Sequence, residues 1–184
     1  MNATSIKYHR REDGFGPNDL RTFSSADQSP EDLEFWSPRR MRILIADDDQ
    51  SVRRSLAQVL EQENYQVFLA HNGREAIRQF QQHLPDLVLL DLNMPGKDGW
   101  EALKAMDSTE PLTPVIVITA RPNQLERAQG EGVDAIMEKP LDLPVLLDAM
   151  EGLLVQSSRE RFRRVTDHGF QTQFLGSRKQ ASHD

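Results

Sequence analysis

Residues that each end an apolar run could together carry out phosphoryl chemistry. Asp91 follows Leu87-Val88-Leu89-Leu90 and precedes Leu92-Asn93-Met94-Pro95-Gly96, a stretch that must turn. Asp47-Asp48-Asp49 closes Ile43-Leu44-Ile45-Ala46, and Thr119 ends Val115-Ile116-Val117-Ile118. Lys139 stands just after a further run and before Pro140. Carboxylates gathered at one strand edge repel one another unless a cation joins them, so Asp47, Asp48 and Asp91 predict a hard, oxygen-loving divalent ion. Mg²⁺ is favoured because it uses few carboxylates and keeps waters for a phosphate to replace. With its charge screened, Asp91 can attack a phosphoryl group and form an acyl phosphate. The Lys139 ammonium would add positive charge around the transferring oxygens, and the Thr119 hydroxyl can donate to one of them. Ala120 is small and leaves the approach open. Alone, Thr119 is a β-branched strand residue and Lys139 a charge before a turn. Asp47–Asp49 alone would be a solvated turn, with Asp49 serving as a helix N-cap. The set, in this order, carries the signal.

The elements that must position these groups alternate between two periods. Strand-like runs cover Arg42–Asp47, Gln66–Ala70, Asp86–Asp91, Pro114–Thr119 and Asp134–Glu138, several with the continuous apolar core of strands covered on both faces. Helical spacing lies between them: Val52, Leu56, Val59 and Leu60, then Ala76, Ile77 and Phe80. The clearest stripe is Leu143, Leu146, Leu147, Met150, Leu153 and Leu154, with Asp142 placed to cap it. The pattern is faintest near Asn123–Gln129. Alternating strands and helices imply an α/β fold, a doubly wound sheet of five parallel strands. Such sheets bind ligands beyond the carboxyl ends of their strands, and Asp47, Asp48, Asp91, Thr119 and Lys139 all lie at those ends.

Composition narrows the classes. The 184 residues contain no cysteine, which removes disulfides, thiolate nucleophiles and Cys-based zinc sites. No apolar run approaches the roughly 20 residues that span a bilayer, and the first residues lack a signal peptide's apolar core. A soluble, cytoplasmic protein is expected. The net charge of −7 divides into −1 over residues 1–40, −9 over 41–155 and +3 over 156–184. The acidic middle disfavours nonspecific nucleic-acid binding. Residues 1–40 are polar and aperiodic and are expected to be a disordered extension, with Leu33, Phe35 and Trp36 as a small apolar group. Met41 stands directly before the first strand, where translation is hypothesised to start. Residues 156–184 are expected to form a basic tail. The last helix runs on for two turns through Arg159, Arg161, Phe162, Arg163, Arg164 and Val165, and a frayed, solvated end carries Phe170, Phe174 and Leu175.

With these motifs in view, residues 41–155 resemble the receiver domain of two-component response regulators. The resemblance rests on Ile43-Leu44-Ile45-Ala46-Asp47-Asp48-Asp49, on Asp91 to Gly99, on Val117-Ile118-Thr119-Ala120, on Lys139-Pro140, and on the turn His71-Asn72-Gly73-Arg74-Glu75-Ala76. It implies a flavodoxin-like sheet of order 2-1-3-4-5, with Asp91 as phosphoacceptor. Asp48, Asp91 and the backbone carbonyl of Asn93 would bind Mg²⁺, and Asp47 would help through water. Thr119 and Lys139 would hold the phosphoryl group, and the Lys139–Pro140 bond would be cis. The donor would be a phosphohistidine on a sensor histidine kinase or a histidine phosphotransfer protein. Ile136 occupies the place, three before the lysine, where many receivers carry Tyr or Phe. Asn93 and Arg121 sit where the family tunes phosphate lifetime.

The expected function is a phosphorylation-controlled signalling module without an attached effector domain. It would catalyse only its own phosphorylation and dephosphorylation. Output would pass through the fourth helix, fifth strand and fifth helix, by partner binding or by a phosphorylation-dependent homodimer. Three rivals stand beside it, of which a flavin or nucleotide binder would want a Ser/Thr/Gly-rich phosphate loop where Asp47–Asp49 stand. A phosphatase with an Asp nucleophile fits the fold, but usually has a second acid where Asn93 stands. A DNA-binding or transcription-linked regulator would have to work through the basic tail.

Overall fold

The computed structural model describes residues 39–96, 98–166 and 170–176. The elements run β1 (Arg42–Ala46), α1 (Gln50–Gln62), β2 (Gln66–Ala70), α2 (Gly73–His83), β3 (Leu87–Asp91) and α3 (Gly99–Asp107). They continue with β4 (Val115–Thr119), α4 (Leu125–Gly130), β5 (Ala135–Glu138), α5 (Leu143–Leu154), α6 (Ser158–Thr166) and β6 (Gln173–Phe174). All strand pairs are parallel, in the order β2-β1-β3-β4-β5-β6.

Helix starts follow local chemistry. Asp49 caps α1 by accepting from the Ser51 and Val52 amides, Asp98 accepts from Trp100 to cap α3, and Asp142 accepts from Val145 to cap α5. The turn into α2 closes both ways: Asn72 Oδ1 accepts from the Glu75 amide, and Glu75 Oε2 accepts from the His71 amide. α4 is short, has no side-chain cap, and buries only Ala128, which accounts for its faint pattern.

β1, β3, β4 and most of β5 bury both faces with period two. Leu44, Val88, Leu90, Val117 and Ile136 join a core completed by α2, α3 and α4, through residues such as Phe80, Met106 and Ala128. Ile43, Ile45, Leu89, Ile116 and Met137 join the opposite core, closed by Leu56 and Leu60 of α1 and Leu146 and Met150 of α5. Two carboxylates fix the opposite end of the sheet: Asp86 Oδ2 accepts from the Arg42 amide and Asp134 Oδ2 from the Val115 amide.

The C-terminal region departs from expectation. α5 does not run on; it ends at Leu154, and α6 begins as a separate helix. Ser157 and Glu160 form a capping box: Ser157 Oγ accepts from the Glu160 amide, and Glu160 Oε2 accepts from the Ser157 amide and hydroxyl. Within the expected frayed end, residues 173–174 instead add a sixth strand to β5. An edge strand offers unpaired backbone groups, and Leu175 finds an apolar face to enter. The apolar group Leu33, Phe35 and Trp36 lies outside the described residues.

Candidate phosphoacceptor and metal site

The carboxyl ends of β1, β3, β4 and β5 deliver the chemistry to one sheet edge. Asp47 follows β1, Asp91 ends β3, Thr119 ends β4 and Lys139 follows β5. Asp47 and Asp91 are each only 2% exposed, whereas Asp48 faces solvent. Lys139 Nζ donates to Asp47 Oδ2 and to Asp91 Oδ2, both at 2.7 Å. The second oxygen of each carboxylate takes a backbone amide. Asp47 Oδ1 accepts from Asp49 at 2.8 Å, and Asp91 Oδ1 accepts from Asn93 at 2.9 Å. Thr119 is fully buried; its Oγ1 accepts from the Arg121 amide at 3.0 Å, which leaves the hydroxyl proton to donate. The Lys139 amide donates to the Thr119 carbonyl at 2.8 Å, and the Lys139–Pro140 bond is cis, as the resemblance implied.

Burial pushes the Asp47 carboxyl above its ordinary range, against the opposing pull of Lys139 and the Asp49 amide. For Lys139, burial pulls the ammonium down, but its bonds to Asp47 and Asp91 outweigh this and hold it above the usual lysine value.

The donor set suits Mg²⁺. Asp47, Asp48 and Asp91 each offer a carboxylate oxygen, all within 4.8 Å of one another. Clustered carboxylate oxygens of this kind are the hard donors that Mg²⁺ takes.

Two supporting residues were not legible from residue type. Arg53, in the first turns of α1, donates to the Asp47 carbonyl at 2.6 Å. Gly99 opens α3 against the acceptor strand, where a Cβ would stand 2.5 Å from the Asp91 carbonyl oxygen and 2.7 Å from Leu92 Cα. The Asp98-Gly99 pair at the start of α3 was the visible trace of that approach. Ile136 is buried in the α2–α4 core, in register with Val117.

The model of the response regulator receiver domain matches residues 43–151. Response regulator MprA of Mycobacterium avium is 41% identical over 122 residues, covering 65% of this chain and 54% of that protein. Transcriptional regulatory protein TrcR of Mycobacterium tuberculosis is 35% identical over 120 residues, covering 64% of this chain and 47% of that protein. The chain thus spans about half the length of the curated relatives it matches. A CheY-like receiver domain protein from Methanospirillum hungatei superposes with a TM-score of 0.61 at 29% identity, over 68% of this chain and 98% of that one. The CheX-CheY-BeF3-Mg²⁺ complex from Borrelia burgdorferi gives 0.59 at 26% identity, over 63% and 90%. From residue 43 to residue 151, this chain belongs to the response regulator receiver domain family of two-component signalling.

Proposed function

We propose that Asp91 accepts a phosphoryl group from a phosphohistidine on a sensor histidine kinase or histidine phosphotransfer protein. One observation carries the reading: a single ammonium spans two buried carboxylates at the end of the central strands. An Asp91 oxygen attacks phosphorus as the phosphorus–nitrogen bond to histidine breaks. The products are the Asp91 acyl phosphate and free histidine. Lys139 is already at the acceptor and follows the charge onto the new phosphoryl oxygens, while Thr119 donates its hydroxyl to one of them. Asp48, Asp91 and the Asn93 carbonyl would hold Mg²⁺, with Asp47 assisting through water. When bound, the ion supplies charge neutralisation to the incoming phosphoryl group. Turnover is limited to this chain's own phosphorylation and dephosphorylation, and the setting is cytoplasmic. Output runs through α4, β5 and α5, to a partner or a second copy.

Intact-protein mass after acetyl phosphate and Mg²⁺ tests the acceptor. Wild type gains one phosphoryl group and Asp91→Asn gains none; an equal gain in both proteins would sink the assignment.

A second reading, a transcription-linked regulator, is favoured by the likeness to the transcriptional regulatory protein TrcR and by α6, which carries Arg159, Arg161 and Arg163. In that case Arg159→Glu with Arg163→Glu weakens DNA retention, by the regulator or by its complex, with a steep salt dependence. Unchanged retention at low salt excludes it.

A further inference from the structure

The edge of a parallel sheet leaves backbone N–H and C=O groups of its last strand unpaired, and β5 would be that strand in a five-stranded sheet. Residues 170–176 fill the place. Thr172 is buried and donates from Oγ1 to the Val133 carbonyl at 2.7 Å. The Gln173 and Leu175 amides donate to the Asp134 and Ile136 carbonyls at 2.9 and 2.8 Å. Ala135 is in register with Gln173 and Ile136 with Phe174, so the side chains alternate across the sheet. Leu175 enters the core that holds Ala135 and Met137 and is 4% exposed. Phe174, on the Ile136 side, stays 49% exposed. The attachment is thin. These hydrogen bonds and one buried leucine oppose the ordering of a short segment, and the opposing contributions are of similar size.

The geometry points to a displaceable cover: residues 170–176 close the β5 edge when docked and, when released, expose it to an extended segment of a partner protein. The cover itself specifies the occupant. It is an extended strand lying parallel to β5, with a hydroxyl side chain for the Val133 carbonyl and a branched apolar side chain three residues later for the Leu175 pocket. Val145, Ala149 and Leu153 of α5 line the groove beside the segment. The edge also leads to the site, because Ile136 lies three residues before Lys139. The inference stands on the β5 edge alone, so its test needs no phosphoryl donor, and its failure leaves the phosphoacceptor reading untouched.

Hydrogen exchange on the full chain reads docking through the Gln173 and Leu175 amides. Both are protected in wild type. Leu175→Asp speeds Gln173 exchange by at least about tenfold while amides of β1, β3 and β4 keep their protection. A labelled peptide of residues 170–176 then binds Leu175→Asp at least about tenfold more tightly than wild type, and a scrambled peptide binds neither. Equal affinity for the two proteins overturns the inference, as does unprotected Gln173 in wild type. Should Leu175→Asp lose protection across the whole sheet, Thr172→Val removes only the bond to Val133 and is judged by the same criteria.

Discussion

Lys139 holds Asp47 and Asp91 together, donating to each at 2.7 Å. The pH dependence follows from the two shifted groups. The pKa of Asp47 is raised on folding, chiefly by burial, so its contribution to stability is full below the ordinary carboxylate range. That contribution is lost as pH rises through the higher folded value. Lys139 is also raised, so its contribution persists through neutral pH and is lost only in strong alkali, above the ordinary lysine value. Asp47→Asn keeps an oxygen for the Asp49 amide and removes the charge that burial disfavours. Without Mg²⁺, urea unfolding at pH 7 should find Asp47→Asn more stable than wild type, with the gap closing toward about pH 4. A variant no more stable at pH 7 would contradict this account of the shift.

At the scale of elements, the β3–α3 connection and the start of α2 carry the sharpest tests. Gly99→Ala sets a Cβ against the backbone of Asp91 and Leu92, which no side-chain rotation relieves. It should cost about 1–3 kcal/mol in urea unfolding and should slow transfer of a phosphoryl group from acetyl phosphate to Asp91, because the displaced backbone carries the acceptor. Full stability in Gly99→Ala would mean that α3 can slide away freely. Glu75 closes the α2 turn, accepting from the His71 amide and pairing with Arg78 at 3.1 Å. Burial opposes its charged form, but the His71 amide and the charges of His71 and Arg78 prevail, and its pKa falls below the ordinary range. Its contribution is therefore present above about pH 4.3 and lost as pH falls through the lower folded value. Glu75→Ala should cost about 1 kcal/mol at pH 7, with the wild-type and variant thermal curves converging in acid. Parallel curves at every pH would remove the charge from the explanation.

For the whole molecule, metal binding and folding are linked, since a site built from β1 and β3 exists only when the sheet does. Mg²⁺ at a hundred times its Kd should stabilise the wild type by about 2.7 kcal/mol, seen as a rise in Tm. Asp48 is exposed, so Asp48→Asn leaves the core intact and should abolish most of that rise. An undiminished rise would place the ion elsewhere. Among the described residues, no helix is long and apolar enough to cross a membrane. The acidic body and the basic α6 divide the charge between the sheet domain and its C-terminal extension.

Much of the site was legible in the order of residue types along the chain. Strand ends can be read where continuous apolar runs stop, and a doubly wound topology sends those ends to one edge. Asp47, Asp48, Asp91, Thr119 and Lys139 therefore had to be neighbours. Asp49 and Asp142 were readable as caps because capping is a bond between residues two or three apart. The Ser157–Glu160 capping box was equally local and marks where α6 begins. Tertiary structure alone decided the rest. That Lys139 spans two carboxylates depends on side-chain reach across strands, and the tight seat of Gly99 depends on how the loop folds back on β3. The sixth strand is the plainest case. Two paired residues have too little periodicity to announce a strand, and their partners on β5 lie far back in the chain. Only the finished edge, with its unpaired carbonyls and the pocket for Leu175, gives Thr172–Leu175 a reason to be extended.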